Sequence, residues 1–222
     1  AVSSAVHAAG ALLVSVVNPI SLGVVQTPGE YDADFAVCEG QPLGNPISFG
    51  GPGLGVMTAK KAYVRQLPGR MVGIAKDKDG KRAFVLTLQA REQHIRREKA
   101  ASNICSNEAL CALNAVIYLT LLGPQGLKEV AGLNLERAHQ LANLINTKSF
   151  HVKTFSPFFN EFIVECPLPA AEVIKKMEAK GFAAGYDLGQ LCPQMKNCLL
   201  VCVTEMRTEE DLQAYADALG GI

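Results

Sequence analysis

The sequence predicts an α/β protein in two parts, and three observations carry this prediction. Residues 11–17 form an unbroken, Val-rich apolar run, which is typical of a parallel strand buried on both faces. Residues 34–38 form a second short apolar segment, at a spacing that suits a crossover connection between parallel strands. Beyond Pro124 the apolar runs give way to amphipathic segments with their own turns. We therefore expect two domains, residues 1–124 and a small α/β layer at 125–222.

Composition argues against several classes of function. Lys+Arg and Asp+Glu both total 21, so no basic excess favours nucleic acid or a membrane surface. The longest apolar runs are too short for a bilayer span or carry Asn and Thr, and we expect no signal peptide. The 7 cysteines are odd in number and lack a CxxC spacing, which favours reduced structural thiols over disulfides or zinc. We expect a cytoplasmic protein without a metal site.

Local patterns predict the other elements of the first part. The turn at residues 77–80, Asp-Lys-Asp-Gly, lies between two strand-like segments and is typical of a hairpin. Residues 107–122 are apolar nearly all round, which predicts a buried helix ended by Gly123 and Pro124. Residues 1–10 are typical of the tail of a helix, so we expect the chain to begin within a larger domain. The shorter expected elements are helices at 21–25 and 60–66 and strands at 56–59, 72–75 and 83–88.

The second part is predicted to alternate helices and strands. Thr208 has the character of a helix N-cap, because acidic residues follow it in the first turn, where the helix dipole favours them. Residues 158–162 are expected to be a core-facing strand segment, and residues 185–189 a turn or loop. Cys198 and Cys202 are expected to share one face of a strand, where they pack and bind no ligand. The other expected elements are helices at 127–146 and 170–180 and strands at 150–155, 162–165 and 199–203.

Two segments are candidates for a functional site. Residues 91–105 are dense in charge and run directly into the apolar helix. By pattern alone, a solvated helical face with acid–base pairs at helical spacing is favoured. The alternative is a site in which His94, flanked by arginines, positions a carboxylate. The candidates on this segment are Arg91, Gln93, His94 and Arg96.

The second candidate is the glycine-rich stretch at residues 50–55. It lacks the Gly-Lys-Ser/Thr end of a phosphate-binding P-loop, and the GxGxxG order is missing, so nucleotide binding is disfavoured. A tight turn and a functional loop both remain open. Lys60 and Lys61 follow it at the start of a predicted surface helix, where solvated lysines are favoured over catalytic ones.

Residues 91–105 read Arg-Glu-Gln-His-Ile-Arg-Arg-Glu-Lys-Ala-Ala-Ser-Asn-Ile-Cys, and this stretch closely resembles the signature of the glycine decarboxylase P-protein family in its two-subunit form. Residues 39–53 are similar to the loop of that family's first, or alpha, subunit. The resemblance implies the second part of a large domain of the pyridoxal-phosphate (PLP) dependent transferase fold (fold type I), followed by a small C-terminal α/β domain. It corresponds to the C-terminal half of the alpha subunit.

The resemblance also implies which residues lie near the cofactor. In the family's beta subunit a lysine binds PLP, and its position falls on Gln41 here, whose carboxamide cannot form a Schiff base. PLP would thus be bound covalently by the partner beta subunit. The loop with Gly50 and Gly51 would lie beside that cofactor. Ser102 and Asn103 would offer phosphate contacts at a helix N-terminus, although the family usually has Thr where this chain has Ala101.

The function implied by the resemblance is decarboxylation of glycine with PLP and transfer of the aminomethyl group to the lipoyl arm of H-protein. The implied partners are the beta subunit, lipoylated H-protein and glycine, and the chain alone is expected to be inactive. A complete PLP enzyme of another family is one alternative, but it would require a lysine near Gln41. A noncatalytic structural or regulatory module with the same fold is the other, because fold does not fix function.

Overall fold

The computed structural model describes residues 2–69, 71–88, 93–100, 108–146, 149–153 and 156–222. The chain divides into two compact units, Ala1–Gly123 and Pro124–Ile222.

A three-stranded sheet organises the first unit. Its strands are β1 (Val14–Val16), β2 (Phe35–Glu39) and β3 (Gly55–Ala59), in that order across the sheet. The first two run parallel, as predicted, and β3 is antiparallel to β2. A short helix, α1 (Val2–Ala8), precedes the sheet, and the crossover between the parallel strands contains a 3-10 helix, Ile20–Gly23.

The predicted burial of the first strand on both faces is wrong. Val14 is 54% exposed and Val16 is 82% exposed. The reason is that, within the described residues, nothing packs over the face of β1 that carries these two side chains. The strand is also shorter than the apolar run that predicted it, with 3 residues.

The predicted hairpin is confirmed. Strands β4 (Met71–Lys76) and β5 (Arg82–Thr87) pair in antiparallel register. In the turn, Asp77 Oδ1 accepts hydrogen bonds from the backbone N–H groups of Asp79 and Lys81. Gly80 has a φ of 78°, a conformation that glycine adopts without a steric penalty. The helix predicted before the hairpin is a 3-10 helix, Lys61–Gln66, and a short helix, α2 (Gln93–Arg96), follows the hairpin.

The long helical span α3 (Ala109–Ile145) consists of two helices, because Gly123 has non-helical angles, φ 62° and ψ −178°. The predicted burial of the first helix is wrong, since Leu110 and Leu121 are 80% and 82% exposed. The span contains an 18-residue window of mean hydropathy 1.5, long and apolar enough by length and composition to cross a membrane. Core helices of soluble proteins also have this length and composition.

The second unit is an antiparallel four-stranded sheet covered by helices. The strands lie in the order β6-β7-β9-β8. The elements are the part of α3 from Pro124 onward, β6 (His151–Lys153), β7 (Glu161–Glu165), α4 (Ala170–Glu178), β8 (Tyr186–Asp187), β9 (Cys198–Cys202) and α5 (Glu209–Gly220).

A contiguous apolar core holds the second unit together. Each fully buried aliphatic or aromatic side chain contributes about 1.5–3 kcal/mol relative to an exposed one. The predicted N-cap of α5 is confirmed, since the Thr208 hydroxyl accepts from Asp211 N–H in a capping box. The largest fully buried side chains are Ile145, Phe150, Val164, Val173, Met177, Leu199 and Leu219.

Two predictions for this unit need correction. Residues 185–189 are not simply a turn, because Tyr186 and Asp187 form β8 and pair with Leu200 and Leu199. A strand of 2 residues is too short to show a period, so its pairing decides its structure. The prediction that Cys198 and Cys202 both pack against neighbouring side chains holds for only one of them. Cys198 is buried, whereas Cys202, at the end of β9, is exposed.

Candidate functional site

The loop between β2 and β3 carries the predicted cofactor position, and its base is fixed by Glu39. The backbone N–H of Gly40 donates to the carbonyl of Leu54 at 2.6 Å. Glu39 Oε1 accepts from Leu54 N–H at 2.7 Å and from Gln41 N–H at 2.9 Å. One carboxylate therefore joins both ends of the loop, and charge-assisted bonds of this kind are stronger than neutral ones.

Gln41 lies at the start of this loop and is half-buried. Its Nε2 donates to the carbonyl oxygen of Asn45, and the Asn45 N–H donates to the Gln41 carbonyl at 3.0 Å. The side chain thus stabilises the loop itself. A carboxamide has no nucleophilic amine, so this position does not fit covalent attachment of PLP.

The two lysines that follow β3 do not replace the missing amine. Lys60 Nζ lies 2.6 Å from Asp32 Oδ1 and 2.9 Å from Asp34 Oδ1. Hydrogen bonds to Asp32 and then Asp34 raise the pKa of Lys60, which keeps it protonated. A Schiff base requires the neutral amine. Lys60 is therefore a structural cation in an ion-pair cluster, and Lys61 is exposed on the following 3-10 helix.

A sharp turn leads into the glycine-rich stretch. Three successive residues, Ser48, Phe49 and Gly50, have φ values of 41°, 57° and 107°. Such left-handed angles are uncommon away from glycine and reverse the chain within a few residues. The structure brings Gln41, Gly50 and Gly51 to one cavity of about 330 Å³, whose lining also includes Glu39, Ile47, Pro52 and Gly53.

The other side of the loop rests on the first helix of α3. Asn114 Nδ2 donates to the carbonyl of Gly44 at 2.5 Å and to Asn45 Oδ1 at 3.3 Å. Asn45 Nδ2 donates to the Cys111 carbonyl at 3.4 Å, and Asn45 is buried. A second, mostly apolar cavity of about 340 Å³ lies between loop and helix. Pro52 lines both cavities, so the loop separates them.

Both ends of the charged segment, residues 91–92 and 101–105, lie outside the described residues, and with them Arg91, Ser102 and Asn103; the side chain of His94 lies outside them too. Gln93 and Arg96 lie on α2, and both are exposed. Their assignment to a substrate site stays a prediction.

Sequence reasoning did not identify the cluster around Asp34, whose side chain is 5% exposed. It accepts from Leu13 N–H at 2.8 Å, and His7 Nε2 and Lys60 Nζ lie at 2.8 Å and 2.9 Å. The Leu13 hydrogen bond, followed by those of Lys60 and His7, holds the pKa of Asp34 well below its usual range. The sequence feature that could have indicated this cluster is the Asp-Ala-Asp pattern at residues 32–34. Among the described residues, no group of three His, Cys, Asp or Glu side chains could hold a metal ion.

The fold is shared with several PLP-dependent enzymes. A crystal structure of glycine decarboxylase (P-protein) of the glycine cleavage system, in inhibitor-bound form, superposes with a TM-score of 0.92 and 46% identity, over 99% of this chain and 50% of that one. A sphingosine-1-phosphate lyase from Burkholderia pseudomallei gives 0.65 at 14% identity, over 99% of this chain and 47% of that one. The protein thus has the fold of the PLP-dependent enzymes of fold type I, as predicted.

The family follows from sequence. The model of the glycine cleavage system P-protein family matches residues 1–219, and the chain belongs to that family. A probable glycine dehydrogenase (decarboxylating) subunit 1 from Moorella thermoacetica is 56% identical over 217 residues, 97% of this chain and 49% of the relative. Its counterpart from Chlorobium luteolum is 54% identical over 221 residues, 99% of this chain and 49% of the relative. The chain spans about half the length of the curated relatives it matches.

Proposed function

We propose that this chain is part of the alpha subunit of a two-subunit glycine dehydrogenase (decarboxylating), an oxidoreductase of the glycine cleavage system. The observation that carries the proposal is Gln41, a loop-forming carboxamide at the position where the beta subunit of this family has its cofactor lysine. The relatives named as subunit 1 support the same assignment. A complete PLP enzyme of another family is disfavoured, because Lys60 is committed to an ion pair. No observation favours the noncatalytic module.

The share of this chain in the reaction is to complete the site of the beta subunit. PLP would be bound covalently there and supply the electron sink for the departing carboxylate. The loop that Glu39 fixes would wall the site with Gly50 and Gly51, and exclude water. Ser102 and Asn103 would bind the phosphate; they precede α3 in the sequence, and helix N-termini favour anions.

The substrate carboxylate would be bound by the charged segment, for which Arg91, Gln93, His94 and Arg96 are the candidates. Arginine suits a carboxylate because its planar guanidinium can donate two parallel hydrogen bonds. The aminomethyl group would then pass to the lipoyl arm of H-protein. The proposed partners are therefore the beta subunit, lipoylated H-protein and glycine, in the cytoplasm, with no part for nucleic acid or a membrane.

Co-expression of the full-length alpha subunit carrying this sequence with its beta subunit tests the assignment. We expect the two to co-purify and to catalyse exchange between glycine and labelled bicarbonate in the presence of H-protein, and each subunit alone to be inactive. Failure to co-purify, or a complex without exchange activity, would contradict the proposal.

Borohydride reduction tests where the cofactor is attached. After incubation of the complex with PLP, reduction and digestion, we expect the pyridoxyl-lysine peptide to come from the beta subunit alone. A stoichiometric adduct at Lys60 or Lys61 would overturn the assignment of Gln41, whereas trace labelling spread over many surface lysines is the expected background.

A further inference from the structure

The geometry points to Asn114 as a positioning residue that holds the loop of residues 41–53 in place from the side of the first helix of α3. This inference rests on the proposed function of that loop. Asn114 lies on the helix side of the loop, and the cavity with Gln41, Gly50 and Gly51 lies on the other. Asn114 does not line that cavity. It would therefore act through the loop, without touching substrate or cofactor.

The contacts of Asn114 are directed at the loop backbone. A single Nδ2 group donates to the Gly44 carbonyl at 2.5 Å and to Asn45 Oδ1 at 3.3 Å. Asparagine is a poor helix former, and residues 109–122 are otherwise almost entirely apolar. Leucine or alanine would serve the helix better at this position. The carboxamide is thus explained by its bonds to the loop.

Gly44 provides the matching feature on the loop. Its φ is 83°, and a Cβ at this position would lie 2.7 Å from Tyr118 Cβ. The loop backbone therefore lies directly against the helix, at a distance that only glycine allows. The hydrogen bond from Asn114 and the close approach at Gly44 fix the same two residues of the loop.

Hydrogen bonds link Asn45 to Gln41, which lines the cavity. Asn45 N–H donates to the Gln41 carbonyl, and Gln41 Nε2 donates back to the Asn45 carbonyl. Glu39 then joins Gln41 to Leu54 at the far end of the loop. A displacement of Gly44 and Asn45 would therefore move Gln41. Because Gln41 lines the cavity, the shape of the cavity wall would then change.

The test uses Asn114→Ala in the full-length alpha subunit assembled with its beta subunit. Its matched control is Asn143→Ala, which removes an exposed asparagine from the second helix of α3. A second variant, Gly44→Ala, disturbs the same contact between loop and helix from the loop side and leaves the carboxamide of Asn114 in place. Melting temperatures of the assembled complexes check that all variants fold.

The first measurement is hydrogen exchange without cofactor or substrate. We expect the amides of Asn45 and Gly50, both hydrogen-bonded within the loop, to exchange about tenfold faster in Asn114→Ala, the factor that corresponds to 1.4 kcal/mol. Gly44→Ala should have the same effect. The control should exchange as the wild type does.

The second measurement separates positioning from chemistry. A displaced wall weakens binding of the ground state and the transition state alike, so KM for glycine should rise about fivefold while kcat changes less than about twofold. Unchanged exchange and unchanged KM in both variants would overturn the role of Asn114. A wild-type complex without activity would instead overturn the proposed function, and the exchange data would still decide whether Asn114 holds the loop.

Discussion

At the residue scale, the buried carboxylate of Asp34 organises the start of the sheet in the first unit. It joins the backbone of Leu13, the ring of His7 on α1 and the ammonium of Lys60 after β3. Asp32 adds a second acceptor for Lys60 at 2.6 Å. A charge this buried is stable only when it is paired and hydrogen-bonded, so the cluster depends on every member.

Acid should weaken this cluster. The pKa of Asp34 is lower in the folded protein than the value of about 3.9 for an unfolded aspartate, so its stabilisation is complete above about pH 5. That stabilisation is lost as the pH falls further, toward the folded-state pKa. We expect Asp34→Asn to be less stable than the wild type at neutral pH, and the difference to shrink as the pH falls from about 5 to about 2.

Urea unfolding at a series of pH values measures this effect. Asp79→Asn, at an exposed position in the hairpin turn, is the matched control for the loss of a carboxylate. A gap between Asp34→Asn and the wild type that stays constant with pH would show that the carboxylate acts by shape and not by charge.

The sequence identified some residues of the site and not others, for a physical reason. Gln41 was found because it occupies one position of a contiguous motif. Asn114 contacts Gly44 across 70 residues of sequence, and Asp34 contacts His7 across 27. Pairs this distant leave no local period or spacing. Only the fold brings them together, and the same holds for the cavity shared by Gln41 and Gly50.

At the element scale, structures governed by local chemistry were predicted well. The hairpin follows from an Asp-Lys-Asp-Gly turn between two apolar strands, and the start of α5 follows from Thr208 and the acids behind it. Both depend on interactions between residues only a few positions apart. Burial was predicted less well, since the apolar pattern of residues 109–122 does not say what lies beside the helix.

The cap of α5 gives a quantitative prediction. Thr208→Ala removes the acceptor of Asp211 N–H, whereas the reciprocal bond, from the backbone N–H of residue 208 to Asp211 Oδ2, remains possible. We expect the free energy of unfolding of the second unit to fall by about 1 kcal/mol, measured by urea denaturation. Thr208→Ser keeps the hydroxyl and should resemble the wild type. Equal loss in both variants would mean that the threonine methyl group, and not the cap, stabilises the helix.

At the scale of the whole molecule, the two units differ in how they bury apolar surface. The contiguous core belongs entirely to the second unit, where Val164, Val173 and Leu199 are fully buried. The first unit leaves long apolar side chains in solvent along β1 and the first helix of α3. Monomeric soluble proteins rarely expose large contiguous apolar patches.

The isolated 222-residue chain should therefore self-associate. Leu110 and Leu121 are 80% and 82% exposed on the first helix of α3, and covering such side chains gains about 25 cal/mol per Å² of apolar surface. Light scattering should give an apparent mass that rises with concentration above that of the monomer. The double variant Leu110→Gln, Leu121→Gln should lower this apparent mass, because glutamine keeps the helix and removes the apolar surface.

Leu191→Gln, at an exposed leucine of the second unit, is the matched control and should leave association unchanged. A wild-type chain that stays monomeric at every concentration would show that this apolar surface does not drive assembly.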